Sequence, residues 1–147
     1  MTGLREMIAA HPRFDGSACD LAAKAAALAA ECAAIARSCA DACLAEEGVT
    51  QLIQCIRLDL DCADICWAFS GVASRFTGGD APLIDVASQA CEAACRRCAV
   101  ECRKHARMHE HCRICAEACA ACADACHALR QSLSDGPRRP AAVQVQA

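Results

Sequence analysis

Cysteine thiols are the groups most able to do chemistry in this chain, which has 16 of them in 147 residues. Fifteen fall on four stripes: Cys32, Cys39 and Cys43; Cys55, Cys62 and Cys66; Cys91, Cys95, Cys98 and Cys102; Cys112, Cys115, Cys119, Cys122 and Cys126. Steps of three, four and seven put side chains on one face of a helix, with β-carbons about 5–6 Å apart for neighbouring pairs. Thiolates are soft ligands that select Cu(I), Zn or iron–sulfur clusters. A second set of ligands, His105, Met108, His109 and His111, clusters between the last two stripes, and Asp59 interrupts the second stripe between Cys55 and Cys62.

Four helices are needed to carry these stripes. A short helix is expected over 3–11. Ser17 with Asp20 resembles a capping box opening an alanine-rich helix to about Glu47. Gly48 reads as its stop and Thr50 as the N-cap of a second helix over 51–76. The run Thr77-Gly78-Gly79-Asp80 is a turn; Asp80 caps a third helix with Pro82 in its first turn. That helix runs to about Ala106, and a tight connection near 108–110 leads into a fourth, ending near Leu133. Residues 134–147 show no periodic pattern and are expected to be a disordered tail. Short connections make successive helices antiparallel neighbours, so the expected fold is an all-α, up-and-down four-helix bundle over one domain, residues 1–133. The first two long helices share C-x6-C-x3-C and the last two share C-x3-C-x2-C-x3-C.

Antiparallel packing also assigns heights. Cys43, Cys55, Cys102 and Cys112 come near one end, and Cys32, Cys66, Cys91 and Cys126 are deepest. Beyond them Leu21, Leu28, Phe69, Phe76, Leu83, Leu129 and Leu133 are placed to form a dry plug. The other end carries the histidines, so the molecule is expected to have a single mouth.

Zinc and iron–sulfur sites usually collect four ligands from loops. These thiols are spread along helices instead. Cu(I) takes about two or three sulfurs, which suits a continuous stripe. Any one buried cysteine is commonly just a small core residue, and Cys19, off the first stripe, is read that way. His11 and His127 are read as solvated. Asp59 on a thiol stripe would be an odd buried carboxylate without a cationic partner; orienting a histidine or taking a proton as metal enters would supply a role. Met108 is either a thioether ligand or, in preference, a turn-packing residue.

Composition narrows the class. Hydrophobic residues make up 56%, yet there are only 3 Phe, 1 Trp and no Tyr, so ordinary side chains under-fill a bundle core. A net charge of −3 gives no case for nucleic acid, and no apolar run is long enough to span a membrane. The opening MTGLREMIAAHPRFDG lacks a signal-peptide pattern, which points to the cytoplasm, where thiols stay reduced.

Over residues 17–133 the chain resembles the copper storage proteins, in their cytosolic branch. The resemblance rests on the four stripes, the C-x3-C and C-x2-C-A-x2-C runs of the last two helices, and the His- and Met-rich connection 105–111. It implies a bundle holding many Cu(I) ions in its core, a homotetramer, and copper sites at the mouth that include Asp59, His105 and His111. A second apolar stripe, Ile53, Ile56, Leu60 and Trp67, independently leaves area for a subunit interface.

The resulting expectation is a non-enzymatic Cu(I) store and buffer. Its metal ligands are the fifteen stripe cysteines with Asp59, His105, His109 and His111, and a copper donor or acceptor protein is its natural partner. The rival reading is a zinc or general soft-metal sequestration protein; a redox enzyme lacks an activated nucleophile with a base partner.

Overall fold

The computed structural model describes residues 2–16 and 18–135. Five α-helices form: α1 (Thr2–Ala9), α2 (Cys19–Leu44), α3 (Ile53–Ala73), α4 (Ala81–His105) and α5 (Glu110–Asp135). The four long ones make the expected all-helical antiparallel bundle. Around it α2 meets α3, α3 meets α4, α4 meets α5, and α5 closes on α2, while α1 packs on α2.

Local chemistry explains most boundaries. Asp80 caps α4 by accepting from the Leu83 N–H at 3.3 Å, with Pro82 in the first turn. The turn before it needs glycine: Gly78 has φ 101°, and a β-carbon there would sit 1.8 Å from the Asp15 carboxylate. The basic last turn of α4, Arg103, Lys104 and His105, and the acidic Glu110 opening α5 both oppose their helix dipoles.

Several expected boundaries shift, among them the end of α3, which comes at Ala73 and not at 76. Ser17 lies outside the described residues; α2 opens after Ala18, which has φ 51° and makes no side-chain cap, and Asp20 pairs with Arg5 of α1. Helix α2 ends at Leu44, before Gly48. Thr50 does not cap α3: it lies inside a single 3-10 turn, Val49–Leu52, that leads into the helix and buries Leu52. Backbone bonds in such a turn relieve the end of a helix without a side-chain cap. At the other end of the chain α5 continues through Ser134 and Asp135, and the rest of the expected tail, 136–147, lies outside the described residues.

Apart from Ala99 and Glu101 of α4 and Ala116, Ala123 and Ala125 of α5, which are buried beside the axis, the buried positions follow a 3–4 alternation, the seven-residue repeat of knobs-into-holes packing. On α4 they are Ile84, Ser88, Cys91, Cys95, Cys98 and Cys102, and on α5 Cys112, Cys115, Cys119, Cys122, Cys126 and Leu129. One half of the bundle is therefore thiol and the other apolar. The apolar plug differs from expectation in two places. Leu83 is 52% exposed, and its neighbour Ile84 takes the inward position. Leu21 and Leu28 are only half-buried against the core, whose axis on α2 is filled by Ala22, Ala25 and Ala29. Phe69, Phe76 and Leu129 are buried as expected, and Leu133 packs partly against them.

Candidate metal centre

All fifteen stripe thiols are at most 2% exposed and point into one column along the bundle axis. Every cysteine in the chain is a free thiol. Sulfur neighbours link the helices in a continuous series. From the closed end, Cys91 reaches Cys122 at 3.8 Å and Cys66 at 3.6 Å; Cys66 reaches Cys95 at 3.3 Å; Cys62 reaches Cys95 at 3.7 Å and Cys119 at 3.8 Å. Cys32 meets Cys119 at 3.6 Å, Cys98 meets Cys115 at 4.0 Å, and Cys55 meets Cys102 at 3.5 Å near the mouth. These gaps are too long for disulfides, at about 2.05 Å, and right for two sulfurs sharing one ion. Four thiols from four different helices, Cys32, Cys66, Cys95 and Cys122, have sulfurs all within 4.8 Å of one another.

Asp59 sits inside this column, fully buried. Its Oδ1 accepts from Cys98 at 3.0 Å, Cys102 at 3.3 Å and Cys115 at 3.4 Å, and its Oδ2 from Cys55 at 3.9 Å. Burial, then the charge of Cys115, pushes its carboxyl up to about 7. Its hydrogen-bond partners among the described residues are thus thiols, not the cationic group or histidine expected. The buried thiols nearest the mouth are also reluctant acids: desolvation pushes Cys43 up to about 12 and raises Cys112 as well.

The histidines meet at the mouth through two carboxylates that the sequence reading did not single out. His111 directs Nδ1 at Cys39 and Cys112, 3.5 Å from each, and at Cys43, 4.0 Å away. Its other nitrogen, Nε2, donates to Glu46 at 3.0 Å. His109 stacks on His111 with ring centroids 5.4 Å apart and places Nδ1 3.1 Å from the same Glu46 oxygen. The hydrogen bond from His111 holds the Glu46 carboxyl below its usual range. His105 pairs through Nε2 with Glu101 at 3.2 Å, one turn back on α4. Glu101 also binds Lys104, which holds its carboxyl down. The signals for these partners were present: Glu101 is four residues before His105, and Glu46 lies in the connection that shares the mouth with 109–111.

Other candidates fall elsewhere. Cys19 is buried with Ile8 and Ala23 between α1 and α2, apart from the column. His127 is half-exposed and pairs with Glu92, and His11 is exposed. Met108 is 83% exposed, so the packing role preferred for it is not taken up.

A family model for copper storage proteins matches residues 16–131. The chain belongs to the copper storage protein family. Solved structures agree with this membership. A structure of the copper storage protein Ccsp from Streptomyces lividans, loaded with 10 copper equivalents, shares 42% identity at a TM-score of 0.84, covering 88% of this chain and 98% of that one. A second structure of the cytosolic copper storage protein of that organism, with five coppers, shares 46% identity at a TM-score of 0.75 over 78% of this chain and 95% of that one. No curated protein sequence matches the chain. In this copper storage protein the column of thiols is the feature that gives the family function a physical basis: soft ligands, many of them, sealed from water.

Proposed function

We propose that this chain stores and buffers Cu(I) in the cytosol as a non-catalytic protein, its four helices acting as one metal-holding domain over residues 1–133. The observation that carries the reading is the unbroken series of sulfur neighbours from Cys122 and Cys91 through Cys66, Cys95, Cys62, Cys119, Cys115, Cys98 and Cys102 to Cys55. A Cu(I) ion between two thiolates lies within bridging distance of the next pair, so ions add along the column without rearranging the helices. The ligands are the fifteen column cysteines with Asp59, and His105, His109 and His111 handle ions at the mouth. Each ion displaces thiol protons, and Asp59, ringed by thiols and with its carboxyl pushed up to about 7, takes one only where it is itself ionised, at and above that value.

Entry and exit at one end follow from the contrast between the histidine-rimmed mouth and the plug of Phe69, Phe76, Ile84 and Leu129. Copper then passes between this mouth and a donor or acceptor protein. The exposed stripe Ile53, Leu60 and Trp67 supports assembly of copies into the tetramer that the family resemblance implies. Anaerobic competition tests the metal. The reading expects many equivalents of Cu(I) to be held against a Cu(I) chelator, and Zn(II) at equal concentration to leave them in place. Displacement of bound Cu(I) by Zn(II) along the whole column would favour general soft-metal sequestration instead.

A further inference from the structure

The mouth contains a donor set different in kind from the rest of the column. Cys39 and Cys43 of α2 with His111 and Cys112 of α5 place their four ligand atoms within 4.8 Å of one another. The two helices present them as a closed cluster of three sulfurs and one nitrogen. For a tetrahedral ion with metal–sulfur bonds of about 2.3 Å and a metal–nitrogen bond of about 2.0 Å, each nitrogen–sulfur edge is about 3.5 Å. The edges from His111 Nδ1 are 3.5, 3.5 and 4.0 Å before any ion has drawn them in.

The tautomer is also set. A carboxylate only accepts, so the Glu46 contact at 3.0 Å fixes the proton on His111 Nε2. The Nδ1 lone pair is then free and already aimed at the three sulfurs. A carboxylate behind a histidine is the usual outer partner of a zinc ligand. Three thiolates and one imidazole are a zinc set, whereas two or three sulfurs satisfy Cu(I).

We propose that the mouth quartet is a site for one divalent ion of the zinc class, with Glu46 as its positioning residue. Such an ion would occupy the entrance of the copper-free bundle and be displaced as Cu(I) arrives. The four-thiol group deeper in the column is the poorer divalent site. Four thiolates around one divalent ion leave two negative charges buried, and among the described residues the hydrogen bonds of Cys32, Cys66, Cys95 and Cys122 go only to other thiols. The site stands on the donor geometry at the rim and does not depend on how many Cu(I) ions the interior holds.

Cobalt is the probe, because tetrahedral Co(II) with thiolate ligands absorbs strongly in the visible. Reduced, metal-free protein is titrated anaerobically with Co(II), then Zn(II) is added. The expected result is a tetrahedral spectrum that breaks at one equivalent and is abolished by one equivalent of Zn(II). Cys112→Ser and His111→Ala should alter that spectrum and weaken the first equivalent. Glu46→Ala should keep the spectrum while weakening affinity about 10–100-fold. Interior variants Cys95→Ser and Cys122→Ser should leave the first equivalent unchanged while lowering Cu(I) capacity. The proposal is overturned by a spectrum that is not tetrahedral, or by no break at one equivalent. It is equally overturned if the first equivalent is lost in the interior variants and retained in Cys112→Ser. Cu(I) capacity measured on the same samples reports on copper storage separately.

Discussion

Asp59 and Cys98 stand 3.0 Å apart in the thiol column, the carboxylate Oδ1 accepting from the buried thiol. A carboxyl in that place is held in its neutral form far above its ordinary range, up to about 7 from 3.8. The consequence for the copper-free protein has a definite sign. Because the folded value is raised, Asp59 costs nothing below the unfolded value. Its cost grows as pH rises and is complete above the folded value, to an upper bound of about 4 kcal/mol. Asp59→Asn removes the ionisation. The Tm difference between variant and parent should therefore move in favour of Asn from about pH 5 to about pH 8. A difference that stays constant across that range contradicts the buried-carboxyl account.

Copper uptake should release protons. Burial raises the Cys43 thiol to about 12, so it is protonated at neutral pH until a metal displaces its proton. In weakly buffered solution with a pH indicator, release of about one proton per thiolate engaged is expected. Uptake without proton release would mean that the column is already ionised.

Rim and interior should separate kinetically. If copper enters at the histidine end as proposed, every ion passes His111 and Asp59, whereas Cys91 and Cys126 hold only the ions that end there. Stopped-flow transfer from a Cu(I) chelator should show several-fold slower loading in His111→Ala with nearly full capacity. Cys91→Ser with Cys126→Ser should load at the parent rate and saturate early. The reverse pattern would put the mouth at the wrong end.

The plug should govern stability and not capacity. Leu129 is fully buried and Phe69 is 2% exposed at the closed end. Leu129→Ala should cost about 2–5 kcal/mol and Phe69→Ala about 3–5 kcal/mol in the metal-free bundle. Circular dichroism melting would read that loss, and Cu(I) capacity of the folded variants should not change. A matching fall in capacity would show that the plug shapes the metal column.

The cysteine stripes made the bundle legible in the sequence because a thiol every three or four residues declares both the helix and its inward face. The same alternation, carried past the cysteines, leads from Cys91 back to Ser88 and Ile84 and from Cys32 back to Ala29, Ala25 and Ala22. Leu83, Leu21 and Leu28 fall off that alternation. The register decides, which is why Leu83 is outside and Ile84 inside. Connections were harder to read. Thr50 and Gly48 carry turn chemistry that a 3-10 turn around buried Leu52 makes unnecessary. Glu46 and Glu101 went unnoticed because charged residues on a helix end are ordinarily solvated; only the placement of His105, His109 and His111 gives them work.

The count of copper ions at saturation tests the central claim most directly. Metal-free, fully reduced protein is titrated anaerobically with Cu(I), and copper and protein are quantified after removal of excess. If thiolates bridge along the column, the count should approach the number of column cysteines, fifteen of the sixteen free thiols, or exceed it. A saturating count of about four or fewer would mean a few closed sites, each taking about four ligands, and would contradict storage along a continuous column.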